Sequence, residues 1–141
     1  MKLDRILVPI DFSLPSKKAL AEAHALVAHK ASTLTLLHVH PFFPSAAPEL
    51  GYLEPPDITQ RVLEAAKQGL AEWVKALPAS AAKHELVAIV GDPAHEILER
   101  TKNHDLVVMS THGRTGITRF LMGSVASRVV RSAHCPVLVL R

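Results

Sequence analysis

Apolar residues fall along this chain in two alternating rhythms: short unbroken runs, and longer stretches in which they recur every three or four positions. The first run, Arg5 to Ile10, is rich in β-formers and lacks polar alternation, as a parallel strand covered on both faces does. Asp11 ends it. Phe12-Ser13-Leu14-Pro15-Ser16 then supplies turn and cap residues, with Ser13 and Ser16 both N-cap candidates for a helix expected over Lys17 to Lys30. Thr33 to His40 reads as a second strand and stops at Pro41. From there to Pro56 the prolines Pro41, Pro44, Pro48, Pro55 and Pro56 exclude regular structure, while Phe42, Phe43 and Tyr52 add apolar side chains. A loop this long is usually functional. A flap beside a ligand pocket and a cover over core or partner surface are equally open readings.

From Asp57 to Leu77 the residues Ile58, Val62, Ala65, Ala66, Gly69, Leu70, Trp73, Val74 and Leu77 repeat at three and four, which predicts a long amphipathic helix with Trp73 on its core stripe. Glu85 to Val90 is a third strand. Asp92 can cap a helix over Ala94 to Lys102 with Pro93 at its first position. Leu106 to Met109 is a fourth strand, Ser124 to Ser132 a fourth helix, and Pro136 to Leu140 a fifth strand. Strands alternating with helices in this way imply an α/β domain: a doubly wound, five-stranded parallel sheet with four helices. Such sheets bind ligands beyond the carboxyl ends of their strands, where strand order reverses. Asp11, Val39 and the segment from Ser110 to Gly113 all sit at such ends.

At 141 residues the chain is one domain in size, and 48% hydrophobic against 21% charged residues is the balance of a globular protein. No apolar run reaches the ~20 residues of a membrane span, and the chain enters its first strand without a signal-peptide core, so no membrane is expected and the expected location is the cytoplasm. A lone Cys135 allows neither an internal disulfide nor a thiolate metal cluster. The formal charge of +3 raises nucleic acid as a partner, but Lys and Arg are scattered and no nucleic-acid motif is present, so none is expected.

The chemistry concentrates between Met109 and Ser124. Gly113, Gly116 and Gly123 allow close backbone approach; Ser110, Thr111, Thr115, Thr118 and Ser124 bring hydroxyls; Arg114 and Arg119 bring positive charge. A helix starting near Ser124 adds unpaired N–H groups and a positive dipole end, and together these suit a polyphosphate. A Walker-type loop and a dinucleotide fingerprint are both missing, and a phosphoacceptor domain would need further acidic residues at its strand ends. His38 and His40 share one strand face without a third ligand at matching spacing, and His24 and His29 are five apart, so a histidine metal site is not expected. His112 lies inside the loop, where it can orient the loop or touch phosphate.

With these residues in place, the chain resembles the universal stress protein family over essentially its whole length. The most specific element is the family's ATP-binding loop: Gly, two residues, Gly, nine residues, Gly, then Ser or Thr. Here Gly113, nine residues and Gly123-Ser124 fit, and the closing Cys-Pro-Val-Leu-Val-Leu is typical of the family. Ser110 stands where the first glycine belongs, and its hydroxymethyl group either crowds the ribose or donates to it. The resemblance implies a Rossmann-like sheet of order 3-2-1-4-5 that binds ATP with Mg²⁺. Asp11 would meet the ribose or, through the cation, the phosphates, with Pro9 and Ile10 nearby. Val39 would read adenine through its backbone, and Met109 and Ser110 would border base and sugar. Gly113, Arg114, Gly123, Ser124 and Val125 would hold the phosphates through N–H groups, the Ser124 hydroxyl and positive charge. For Asp11 a helix cap is an equal reading. The implied role is a regulatory stress-response module; the alternatives are a slow ATP hydrolase using Asp11 or His112, and a nucleotide-free scaffold. A homodimer through Val137, Leu138, Val139 and Leu140 is expected from an apolar edge strand.

Overall fold

Each unbroken apolar run becomes a strand: β1 (Arg5–Pro9), β2 (Thr33–His40), β3 (Lys83–Val90), β4 (Leu106–Ser110) and β5 (Val137–Leu140). The stretches of helical spacing become α1 (Leu14–Leu26), α2 (Pro56–Lys75), α3 (Pro93–Thr101) and α4 (Ser124–Ser132). The computed structural model describes residues 1–41, 56–112 and 121–141. The strands form one parallel sheet in the order β3-β2-β1-β4-β5. Both faces are covered, which is why the runs carry no polar alternation. Ile6, Val8, Leu34, Leu36 and Val108 pack with Leu20 of α1 and Leu70 of α2 on one side. On the other, Leu7, Leu37, Val107 and Met109 pack with Ile97 of α3 and Val129 of α4. Among the described residues no helix is long and apolar enough to cross a membrane.

Several boundaries differ from the sequence expectation for local reasons. The first helix begins at Leu14, three residues early, because Ser13 rather than Ser16 is its N-cap and Pro15 fits the first turn. It ends at Leu26, and the chain unwinds through tighter turns in which Val27, Ala28 and Lys30 each bond three residues back. Strand β3 starts two residues early, at Lys83, because its backbone pairs along the full length of β2, from Thr33 opposite Lys83 to His40 opposite Val90. That places His84 against α1, its ring stacked on buried His24 at 5.6 Å between centroids. Burial and the neighbouring His24 ring both lower the His84 pKa. Trp73 packs against the core, as its stripe predicts.

Candidate functional site

The site is built where β1 ends. Ile10 extends the ladder by one bond, its N–H donating to Leu37 O at 2.8 Å. His38 Nδ1 lies 2.8 Å from Ile10 O, and since a carbonyl only accepts, this nitrogen carries the proton. The chain then turns at Phe12, which has φ of 62°. Asp11 Oδ1 accepts from both the N–H and the hydroxyl of Ser13. Ser13 Oγ in turn accepts from Ser16 N at 3.2 Å and so caps α1. Asp11 therefore does not cap the helix; it braces the residue that does, and it also borders a cavity.

That cavity, about 350 Å³, opens at the carboxyl ends of β1, β2 and β4, within the size range of small-molecule sites. It lies between β1 and β4, where the chain's strand order reverses. Pro9, Ile10 and Asp11 line it from β1, Val39 from β2, and Met109 and Ser110 from β4. Gly123, Ser124 and Val125 close it from the start of α4. Nine residues proposed from the sequence are thus brought together. Gly113 and Arg114 lie outside the described residues, as do Thr115, Gly116, Thr118, Arg119 and the segment 42–55. His112 is not among the lining residues. Its Nδ1 sits 2.9 Å from Thr111 Oγ1, and its Nε2 is buried with no hydrogen-bond partner among the described residues.

Backbone geometry explains why Val39 faces the cavity. In a strand the N–H and C=O of successive residues point to opposite edges. Leu37 O accepts from Ile10 on the β1 side, and His40 O accepts from Gly91 N on the β3 side. Val39 therefore presents its polar backbone toward β1, which has already ended at Pro9. The Val39 side chain is 9% exposed and adds only apolar surface.

Gly123 closes the other wall. Its N–H donates to Thr111 O at 2.7 Å, which ties the start of α4 to the residue that follows β4. A Cβ on Gly123 would stand 3.1 Å from the same oxygen, which accounts for glycine there. Helix α4 has no side-chain cap, whereas Ser13 caps α1 and Asp92 caps α3 through His95 N at 2.9 Å. Ser127 N is the first to bond back, to Gly123 O, so the N–H groups of Ser124, Val125 and Ala126 lack intrahelical acceptors at the cavity wall. Arg128 Nη1 binds Asp92 Oδ2 at 3.0 Å and fixes the start of α3 beside α4. The His95 N–H, then Arg128, hold the Asp92 carboxyl below its usual pKa.

Ser110 Oγ donates to His112 O at 2.9 Å. The hydroxyl is thereby turned into the loop. Thr111, proposed from the sequence as a hydroxyl donor, also lines the cavity. Sequence reasoning missed Ser16, His40, Pro93 and Ile97, which line it too; Pro93 and Ile97 arrive only through the packing of α3 beside α4. Among the described residues no group of three or more His, Cys, Asp or Glu could hold a metal. The lining does offer one carboxylate, Asp11, and the hydroxyls of Thr111 and Ser124. Those hard oxygen donors suit Mg²⁺, which keeps most of its waters and takes its remaining ligands from phosphates.

A sequence model of the universal stress protein family matches residues 2–141. The chain belongs to the universal stress protein family. It is 32% identical to universal stress protein YxiE of Bacillus subtilis, over 98% of this chain and 99% of that one. It is 43% identical over 84 residues to universal stress protein MJ0531 of Methanocaldococcus jannaschii, which covers 58% of this chain and 45% of that longer protein. Among solved structures, the universal stress protein UspA from Lactobacillus plantarum superposes with a TM-score of 0.78 at 26% identity, over 100% of this chain and 99% of that one. The five-stranded order and four helices are those of this family's fold.

Proposed function

We propose that this universal stress protein binds ATP in the cavity at the carboxyl edge of its sheet and acts in the cytoplasm as a nucleotide-dependent regulatory module. One observation supports this most: across a single cavity stand the Asp11 carboxylate, the polar backbone of Val39 and the start of α4 without a side-chain cap. The apolar surface of Val39, Ile97 and Met109 suits a purine, the Val39 backbone its hydrogen-bonding edge, and the N–H groups of Ser124 and Val125 a phosphate. Asp11 would hold Mg²⁺ through the phosphates or meet the ribose. The Ser110 hydroxyl, bonded to His112 O, is directed away from the sugar in this reading. A universal stress protein solved with cAMP has the same fold, at a TM-score of 0.68 and 24% identity over 99% of this chain and 97% of that one. The hydrolase alternative draws no support from the lining, since Asp11 Oδ1 already accepts from Ser13 and His112 lies off the wall.

Isothermal calorimetry with Mg-ATP tests the reading: saturable binding that weakens in Asp11→Ala supports it, and no heat at millimolar ligand removes it. Self-association belongs to the same proposal. Strand β5 is an edge of the sheet, with Leu138 37% exposed. Sedimentation velocity should give a dimer that Leu138→Lys converts to monomer; a monomeric wild type would contradict it.

A further inference from the structure

Phe12 is the only non-glycine at positive φ among the described residues. For a bulky side chain this left-handed conformation is unfavourable, and it persists only where the surroundings over-determine it. The surroundings do so here. The Phe12 ring lies 4.8 Å from the His38 ring and 5.3 Å, edge-on, from Trp73 of α2. On α2 the residue facing it is Gly69, where a Cβ would come within 2.9 Å of Phe12 Cε1. Glycine in the interior of a long helix is otherwise a poor choice, so its place opposite the ring reads as a notch. His38, the ring's other neighbour, is bonded through Nδ1 to Ile10 O. The residues on both sides of Asp11 are therefore fastened, Ile10 by the sheet and His38, Phe12 by its ring.

We propose that Phe12 is a positioning residue for the nucleotide site: seated in the Gly69 notch, it holds the turn that presents the Asp11 carboxylate to the cavity. Helix α2 lines none of the cavity, yet through Gly69 it governs the geometry of a residue that does. The inference rests on the nucleotide reading above and adds to it the residue that sets Asp11.

The test is Mg-ATP affinity by calorimetry in wild type, Phe12→Gly, Asp11→Ala and the double variant, with thermal unfolding followed in parallel. Glycine accepts the left-handed turn but loses the ring, so the turn must be re-frozen on binding, and affinity should fall about tenfold. In the Asp11→Ala background the same change should alter affinity less than about twofold, since the carboxylate it positions is gone. Should Phe12→Gly unfold the protein, Gly69→Ala displaces the ring from outside the cavity and should weaken binding in the same way. Lower melting temperature with unchanged affinity overturns the proposal, as does a full tenfold loss in both backgrounds. A wild type that binds no Mg-ATP overturns the nucleotide reading itself and this proposal with it.

Discussion

Replacing Gly69 by alanine sets two effects of similar size against each other at one atom. Gly69 lies inside α2, where alanine is favoured over glycine by about 1 kcal/mol. The new Cβ would stand 2.9 Å from Phe12 Cε1, closer than carbon atoms approach without displacement. The ring is also bordered by His38 at 4.8 Å and, one turn along α2 from Gly69, by Trp73 at 5.3 Å, which limits how it can retreat. Forcing a methyl into such a contact costs about 1–3 kcal/mol. The net expectation is a loss of about 0–2 kcal/mol in wild type. In a Phe12→Ala background the clash is absent, and the same substitution should stabilise by about 1 kcal/mol. Urea unfolding of the four proteins at constant m-value reads the difference, a coupling of about 1–3 kcal/mol between two residues 57 positions apart in sequence. A stabilisation of about 1 kcal/mol in both backgrounds would refute the wedge.

Ser13→Ala removes the α1 cap and the hydroxyl that donates to Asp11 Oδ1; a loss of about 1 kcal/mol in urea unfolding is expected, and unchanged stability contradicts it. The pH dependence follows from His84, whose folded pKa is lowered by burial and by His24. The stability it contributes is fully present above the unfolded histidine pKa of about 6.5, and is lost as pH falls below that value toward the lower folded pKa. His104, also lowered chiefly by burial, acts in the same direction. Denaturation midpoints at neutral and mildly acidic pH should therefore fall less steeply in His84→Gln than in wild type, and parallel curves would count against the lowered His84 pKa. Leu138→Lys should separate the proposed dimer without lowering Mg-ATP affinity, since β5 does not line the cavity.

The sheet was legible because its strands are buried on both faces: Arg5–Pro9 and Leu106–Ser110 announce themselves as unbroken apolar runs, and the Ala94 to Lys102 helix is opened by Asp92 and Pro93. Element limits moved where hydrogen bonds rather than hydrophobicity decide, as at Ser13 and Lys83. The lining of the candidate cavity was legible wherever backbone position suffices: Asp11 and Val39 follow from knowing which strand ends meet, and Ser124 from the start of the helix that follows β4. What sequence reasoning could not supply was local geometry. Gly123 reads as a flexible phosphate-loop glycine, yet its N–H closes the loop on Thr111 and its missing Cβ makes room for that contact. Phe12 reads as an ordinary turn residue, because neither its left-handed backbone nor the notch opposite leaves a mark in the order of amino acids. Gly69 counted only as a small residue on the core stripe of α2.

The most direct measurement of the central claim is a calorimetric titration of Mg-ATP into the purified protein, repeated with Asp11→Ala and with Ser124→Pro, which removes one of the N–H groups at the uncapped start of α4 while remaining compatible with a first helical position. Saturable binding to one site per chain, weakened in both variants while their folds persist, is the predicted result. No binding in wild type at millimolar ligand, or equal affinity in all three proteins, would contradict the placement of the nucleotide between Asp11 and α4.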